Sequence, residues 1–530
     1  MGLDFEKRIR DPVHGDIELT SEEIEIVDTE QFQRLRGIRQ LGPAYLVYPA
    51  ATHTRFEHAL GTLYMAQKII NGVNANSLRN RNEKVVSETG ERIIRMAALL
   101  HDVTHEPFGH SIEDTLGLRE RHDTKSRFKA ALSGTSEVGR LLADSGILDQ
   151  VVHVLSAKEE IEVDALRTMP GTPRIFPYMS DIINNTICAD LLDYVRRDTQ
   201  STGIAFAFDD RIFDFFEVDP TSLRLALRIE HKGRYRTAVM SEILNILRAR
   251  YTLAERLIFH HANQSVTSML GRALQDCRGL LAVLDGPHSD FEYLREIESR
   301  GKAVARELVR RIRKRDLHKQ IFVVSREEAT AKRGLDTLVK RFRDPNQRLK
   351  FEQEVERQFK IRRGSFILHC PPGDMSLKEA NVRVIRRTGE LQILSSVEDD
   401  PPKGEVEELR RKYESLWSLQ GFLASDHLYL EKTISGWLEQ ELRLHNELHT
   451  RQEALWEALG VLEEAFGEYR NKSRIGPKEL KALKARTYQS IKREIQGALM
   501  GGRTLTRAHM IRILAKSGTA SQSNKRTRRR

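Results

Sequence analysis

Three features of the sequence predict a mainly α fold. Helix formers (Leu, Arg, Glu, Ala, Lys) dominate many windows, apolar residues recur at three- and four-residue spacing over long stretches, and strand-like alternation is confined to short segments. With 530 residues, 39% of them hydrophobic and 31% charged, the chain is long enough for two or three domains with a heavily charged surface.

The elements follow in order. "RIRDPVHGDIELT" reads as a turn, Asp11-Pro12 and His14-Gly15, leading into a short strand. "EEIEIVDTEQFQRLRGIRQLG" sets Ile24, Ile26, Val27, Phe32, Leu35, Ile38 and Leu41 at roughly helical spacing and ends at Gly42. Further helices are predicted over about 55–72, 91–103, 122–133, 136–156, 181–198 and 237–262, the last with the long apolar stripe of a core helix. From about 290 the chain becomes a charged helix, "REIESRGKAVARELVRRIRKRD". "RRGSFILHCPPGDMSLKEANVRVIRRTGELQIL" then alternates around Pro371-Pro372-Gly373 and predicts a small β element. "EDDPPKGE" (398–405) reads as a linker, followed by charged helices that hold Trp417, Trp437 and Trp456. "KSGTASQSNKRTRRR" offers no core-forming residues and is expected to be disordered. The resulting division is a helical core at 1–290, an α+β lobe at 291–397, a charged helical region at 398–515 and a basic tail at 516–530.

The net charge of +10 is unevenly placed. Residues 475–530 hold fifteen basic and two acidic side chains, which leaves −3 on residues 1–474. A charge argument for nucleic-acid contact therefore applies to the C-terminal tail and fails for the body. Cys188, Cys277 and Cys370 are far apart with no CxxC spacing, so neither a disulfide framework nor a zinc ribbon is expected. "MGLDFEKRIRDP" has no apolar h-region, and no apolar run reaches membrane-spanning length, so no membrane partner and a cytoplasmic location are expected.

The chemistry concentrates in "LLHDVTHEPFGH" (99–110). His101 and Asp102 are adjacent and can converge on one ion, and imidazole with carboxylate suits Fe, Mn, Zn, Co or Ni better than Ca. Two ligands do not suffice. "HTRFEHALGT" offers His53 and His58, and "NNTICADLLDYVRRDT" offers Asp190, Asp193 and Asp198, with Asp190 and Asp193 on one helical face. A carboxylate set among Ile187, Cys188, Leu191 and Leu192 is expensive to bury without a cation. The bland alternative is a buried, hydrogen-bonded polar cluster.

The order His58 … His101-Asp102 … Asp190 is similar to the H…HD…D pattern of the HD-domain metal-dependent phosphohydrolases. Five blocks, "DPVHGDIEL", "TEQFQRLRGIRQLG", "ATHTRFEHALGT", "LLHDVTHEPFGH" and "LLDYVRRDT", resemble in order and spacing the dNTP triphosphohydrolase branch. The resemblance spans residues 7 to about 265 and fades through 365–395. It implies an HD-domain helical core in which His58, His101, Asp102 and Asp190 bind a divalent metal (Fe, Mn, Zn, Co, Ni or Mg). Water attack on the α-phosphate of a nucleotide substrate would release triphosphate.

By the same resemblance, His110 would protonate the leaving 5′-oxygen, Glu113 would hold its protonation state, and His105 and His122, with Asp123, would line the phosphate path. Arg55 and Arg250 match phosphate-contacting arginines, Gln40 and Asp198 readers of the sugar 3′-OH, and Tyr194 the aromatic packed on the ribose. Lys7, Asp28 and Arg36 stand where the family reads a guanine-nucleotide activator, which implies a homo-oligomer, dimer or tetramer. The chain departs from the pattern where Leu191 replaces a lysine, Ile258 an aromatic sugar contact and Arg10 an asparagine, and where Thr104 and Glu106 replace the glycines around His105, Glu106 bringing a negative charge close to where triphosphate would sit. The other function class is an HD-type phosphodiesterase, nucleotidase or nuclease acting on another nucleotide or on single-stranded nucleic acid.

Overall fold

The structure, a computed structural model, describes residues 3–109, 111–113, 121–157, 174–231, 234–277, 288–373, 382–386, 391–394, 402–448 and Phe466, Lys481 and Lys484. His110, Trp456 and the basic tail lie outside the described residues. The chain forms two compact units that interleave along the sequence: Met1–Asn263 with Cys277–Gly301 and Asp374–Leu416, and Gln264–Asp276 with Lys302–Gly373 and Trp417–Arg530.

The first unit opens with an antiparallel hairpin, β1 (Lys7–Asp11) and β2 (Gly15–Leu19), that forms a two-stranded sheet of its own. Helix α1 (Ser21–Val27) starts in a Thr20/Glu23 capping box, and α2 (Glu30–Gln33) is capped by Thr29. The central helix is α3 (Arg55–Arg81). Phe56, Ala59, Leu60, Leu63, Ala66, Ile69, Ile70 and Val73 are buried along it, and Asn82 at φ +59° ends it in the left-handed conformation. Around it lie α4 (Glu88–Leu100), α5 (Lys125–Ala131), α6 (Glu137–Asp144), α7 (Leu148–Ser156), α8 (Pro177–Ile183), α9 (Ala189–Thr202) and α10 (Thr237–Leu253). Both α4 and α9 pack directly on α3.

Strands β3 (Phe216–Val218) and β4 (Leu225–Arg228), the short pair β5 (Glu230–His231) and β6 (Arg234–Tyr235), α12 (Asp290–Arg300) and α17 (Pro402–Glu414) also belong to this unit. Two distant strands, β9 (Arg383–Ile385) and β10 (Leu391–Ile393), complete a sheet of order β10-β9-β4-β3, in which β9 runs parallel to β4.

The second unit holds α11 (His261–Asp276) from Gln264 onward and α13 (Ala303–Arg313), α14 (Arg326–Arg333), α15 (Leu335–Arg343), α16 (Pro345–Gln358) and α18 (Glu431–Leu442). Its antiparallel sheet has the order β7 (Lys319–Ser325), β11 (Ser418–Leu423), β8 (Phe366–His369). Among the described residues no helix is long and apolar enough to cross a membrane.

The mainly α reading holds, and the helix boundaries shift in ways that matter for the site. The predicted 181–198 helix is broken over Asn184–Cys188, so Asp190 falls in the first turn of α9, where helix N–H groups favour a carboxylate. The helix expected at 91–103 stops at Leu100, with His101 as its C-cap. The long core helix gives way at Ala254–Ile258 to a π-helical turn. The single β element read at 362–394 divides between the two sheets, with β8 in one and β9–β10 in the other. The linker read at 398–405 is in part the start of α17. Trp417 is not helical: it is fully buried just before β11, with its indole N–H on the Pro371 carbonyl at 3.3 Å.

Candidate metal centre

Three helix ends meet at one point. His58 comes from the first turn of α3, His101 from the C-cap of α4, and Asp190 from the first turn of α9. His58 Nε2 lies 3.1 Å from His101 Nε2 and 3.0 Å from Asp190 Oδ1, and His101 Nε2 is 3.9 Å from that oxygen. Asp102 adds its carboxylate 3.7 Å from His58 Nε2 and 3.5 Å from His101 Nε2.

Both rings have committed their other nitrogen. His58 Nδ1–H donates to Asp193 Oδ2 at 2.7 Å, and His101 Nδ1–H donates to the Ala98 carbonyl at 2.8 Å. With those nitrogens committed, the two Nε2 atoms face each other across 3.1 Å beside two carboxylates, an arrangement satisfied by a positive charge at that point, a proton on His58 or a metal ion in its place. The field favours that positive charge. Burial opposes a charge on His58, yet Asp190, Asp193 and Asp102 push its pKa up to about 10. Burial also works against the charged form of Asp102, but Arg55, His101, His58 and His122 hold this carboxyl below its usual range. The residues present fit a divalent metal ion: His58, His101 and Asp190 form one group able to hold it, and Asp102 borders that group.

Asp102 also belongs to a second cluster with His105 and His122. Its Oδ1 is 3.4 Å from His105 Nε2, and Arg55 Nη1 pairs with its Oδ2. The His105 and His122 rings stack at 3.4 Å between centroids. Glu113 joins them: it accepts from His122 Nδ1–H at 2.7 Å and reaches to 3.7 Å from His105 Nδ1. Asp123 pairs with Arg121.

Glu106, which the sequence places as an intrusive negative charge, is ion-paired with Arg127 at 2.8 Å. Arg127 also donates to the Thr104 carbonyl, and Arg34 donates to the Val103 and His105 carbonyls, so two arginines clamp this turn.

The other predicted residues distribute as follows. Gln40 hydrogen-bonds through its backbone N–H to the His53 carbonyl, and among the described residues its buried side-chain oxygen meets no hydrogen-bond donor. Asp198 is buried and accepts from His53 Nε2–H at 2.7 Å, which gives His53 a place beside the site. Tyr194 is half-buried and packs on the core. Arg250 is half-buried and close enough to Cys188 to act on its thiol, whereas Arg248 is exposed and pairs with Glu405. Lys7, Asp28 and Arg36 are exposed; Arg36 stacks over Phe56 at 3.5 Å and donates to Gln33.

Three participants have roles that the sequence reading did not assign. Asp193, read as a companion of Asp190 on one face, instead grips the far side of His58. Arg197 clamps Asp193 from the next turn. Asp290, buried at the start of α12, accepts from Phe108 N–H at 3.0 Å and Arg39 N–H at 3.1 Å. It thereby fixes Phe108, at φ +61°, and the Gly109 that follows at φ +44°.

The HD domain family model matches residues 55–198, and that of the HD associated region matches 241–419. An uncharacterized protein of Methanocaldococcus jannaschii is 30% identical over 272 residues, covering 51% of this chain and 49% of that protein. The deoxynucleoside triphosphate triphosphohydrolase SAMHD1 of Homo sapiens is 29% identical over 291 residues, 51% of this chain and 44% of its own. The Dictyostelium discoideum homolog of that enzyme is 26% identical over 331 residues, 59% of each. The chain spans about half the length of the curated relatives it matches. A solved phosphohydrolase structure from Bacteroides thetaiotaomicron shares the fold, with a TM-score of 0.56 and 19% identity over 79% of this chain and all of that one. The two matched regions run in tandem over more than half of the chain, and the first encloses His58, His101-Asp102 and Asp190: the chain belongs to the HD-domain phosphohydrolases.

Proposed function

We propose that this phosphohydrolase cleaves deoxynucleoside triphosphates to deoxynucleoside and triphosphate, at a divalent metal (Fe, Mn, Zn, Co, Ni or Mg) held by His58, His101, Asp102 and Asp190. The observation that carries the reading is the convergence of two imidazole Nε2 atoms and two carboxylates on the ends of α3, α4 and α9. The relatives named as dNTP triphosphohydrolases support the substrate class. So does the pairing of Glu106 with Arg127, which offsets the negative charge that would oppose a triphosphate. When bound, the ion polarises a phosphoryl oxygen and lowers the pKa of a water.

The chain's own residues do the rest. Arg55, set against Asp102, and Arg250 take phosphate oxygens through their planar forks. His110 gives its proton to the leaving 5′-oxygen, Glu113 holds that histidine's protonation state, and His105 and His122, with Asp123, line the phosphate path. Gln40, whose side-chain oxygen meets no donor among the described residues, and Asp198 read the 3′-OH, and Tyr194 packs where a 2′-OH would stand. Lys7, Asp28 and Arg36 would read a guanine-nucleotide activator in a dimer or tetramer, the basic tail would contact nucleic acid, and the enzyme would work in the cytoplasm.

The test is one assay: metal-reconstituted protein with each dNTP, with and without GTP, products resolved by chromatography. Triphosphate plus deoxynucleoside is expected, and loss of turnover in Asp102→Ala. Release of pyrophosphate or orthophosphate, cleavage of oligonucleotides only, or unchanged turnover in Asp102→Ala would overturn the reading.

A further inference from the structure

The turn of the β1–β2 hairpin reaches the metal centre through one carboxylate. Asp193 is fully buried and receives four N–H donors, two on each oxygen. His58 Nδ1 (2.7 Å) and Arg197 Nε (2.9 Å) occupy Oδ2; Arg197 Nη2 (2.9 Å) and His14 Nε2 (2.5 Å) occupy Oδ1. That fills every lone-pair direction the carboxylate has. Gly61 makes room for it on α3: a Cβ there would lie 1.9 Å from Asp193 Oδ1 and 2.4 Å from Arg197 Nη2.

The hairpin is built to aim His14 at this point. Asp11 Oδ1 accepts from the Val13 and His14 N–H groups at 2.9 and 2.8 Å, which shapes the turn, and its Oδ2 pairs with Arg197 at 2.9 Å. The His14 ring stacks on Tyr64 at 4.9 Å. Among the described residues β1 and β2 pair only with each other, so side-chain fastenings such as these, with Ile17 and Leu19 in the core, seat the hairpin.

We infer that His14 is a positioning residue for the metal centre: acting through Asp193, it fixes the orientation and tautomer of His58, so that metal affinity depends on the seated hairpin. The inference rests on the metal reading proposed above. A carboxylate behind a metal-binding histidine sets that ring's tautomer and basicity, and disturbing such a partner typically lowers metal affinity about 10–100-fold. The bland alternative is that His14 fastens the hairpin and nothing more, in which case stability falls and metal affinity does not.

Two variants of the full chain separate these. His14→Gln keeps an N–H donor for Asp193; His14→Met keeps bulk without the donor; both lose the ring that stacks on Tyr64. Binding of Zn²⁺ and of Mn²⁺ alone is measured by competition with a chromophoric chelator, beside the melting temperature of the metal-free protein. Arg8→Ala, which breaks the exposed Arg8–Glu18 pair of the same hairpin, is the control.

The expected result is a loss of about tenfold or more in metal affinity for His14→Met, affinity within a few-fold of wild type for His14→Gln, and no change for Arg8→Ala. Equal affinities of the Met and Gln variants, or a Met variant within twofold of wild type, would overturn the inference while leaving the metal site standing. A wild-type protein that binds neither ion would instead overturn the metal reading beneath it.

Discussion

Asp290 offers the sharpest test of how the loop before His110 is held. Its two oxygens accept two different backbone donors, Phe108 N–H at 3.0 Å and Arg39 N–H at 3.1 Å. Asp290→Asn keeps the shape but presents one carbonyl oxygen and one amino group, so one buried N–H must face another donor. A buried donor left unmade costs about 1–3 kcal/mol. The loss falls on a residue already in a costly conformation, since Phe108 sits at φ +61° and such a non-glycine residue holds about 1–3 kcal/mol of strain.

Taking ~2 kcal/mol as the local loss, opening of the 106–109 turn should become about 30-fold more frequent. Hydrogen exchange read by mass spectrometry at the Phe108 amide measures this directly, with metal content and turnover followed in parallel. Faster exchange confined to this turn, with metal content unchanged and turnover reduced, is expected. Exchange at both the Phe108 and the Arg39 amides equal to wild type, with the variant otherwise folded, would refute the assignment of Asp290 as the anchor.

Two further outcomes follow from other buried charges. Arg127→Met should raise the KM for a dNTP more than it lowers kcat, because Glu106 then loses its ion pair with Arg127 near the triphosphate; adding Glu106→Gln should restore KM, and absence of that rescue would remove Glu106 from the electrostatics of the site. In the second unit, burial and the neighbouring Glu352 push the Glu356 carboxyl up to about 7 against the partial offset of Arg272. A carboxyl raised in the folded state contributes stability below its unfolded pKa of about 4.5 and loses it as pH rises through 7. Glu356→Gln should therefore match wild type near pH 4.5 and exceed it by about 3 kcal/mol at pH 8 in urea denaturation; a difference independent of pH would refute the shift.

How much of this was legible in the sequence depends on the distance between partners. His101-Asp102 declared itself because the two residues are adjacent, and Asp190 because a carboxylate among Ile187, Cys188, Leu191 and Leu192 is costly to bury. The helix break before Asp190 is masked because Ile183 and Ile187 keep helical spacing across it, although Asn184-Asn185-Thr186 between them are poor helix formers. Glu106 read as an intruder because its partner, Arg127, lies twenty-one residues on, past the next histidine. His14 read as a structural turn residue because the carboxylate it meets is 179 residues away, and Asp290 gave no signal at all. The parallel β4–β9 pairing was invisible for the same reason.

These long-range partners share one physical task. A metal site of two imidazoles and two carboxylates must be dry enough to be selective, and every buried charge in it then needs a fixed counterpart. His58 has Asp193, Asp193 has Arg197 and His14, Asp102 has Arg55, and Glu106 has Arg127. The matched HD domain, residues 55–198, contains all four expected metal ligands but neither the hairpin that carries Asp11 and His14 nor the Asp290 that fixes the 106–109 turn. The expected ligands and the Asp193–Arg197 pair behind His58 thus lie inside the domain, while His14 and Asp290 reach them from outside it. In the proposed centre, His14 and Asp290 shape the site from outside the matched domain, the first through Asp193 and the second through the backbone of Phe108 and Arg39.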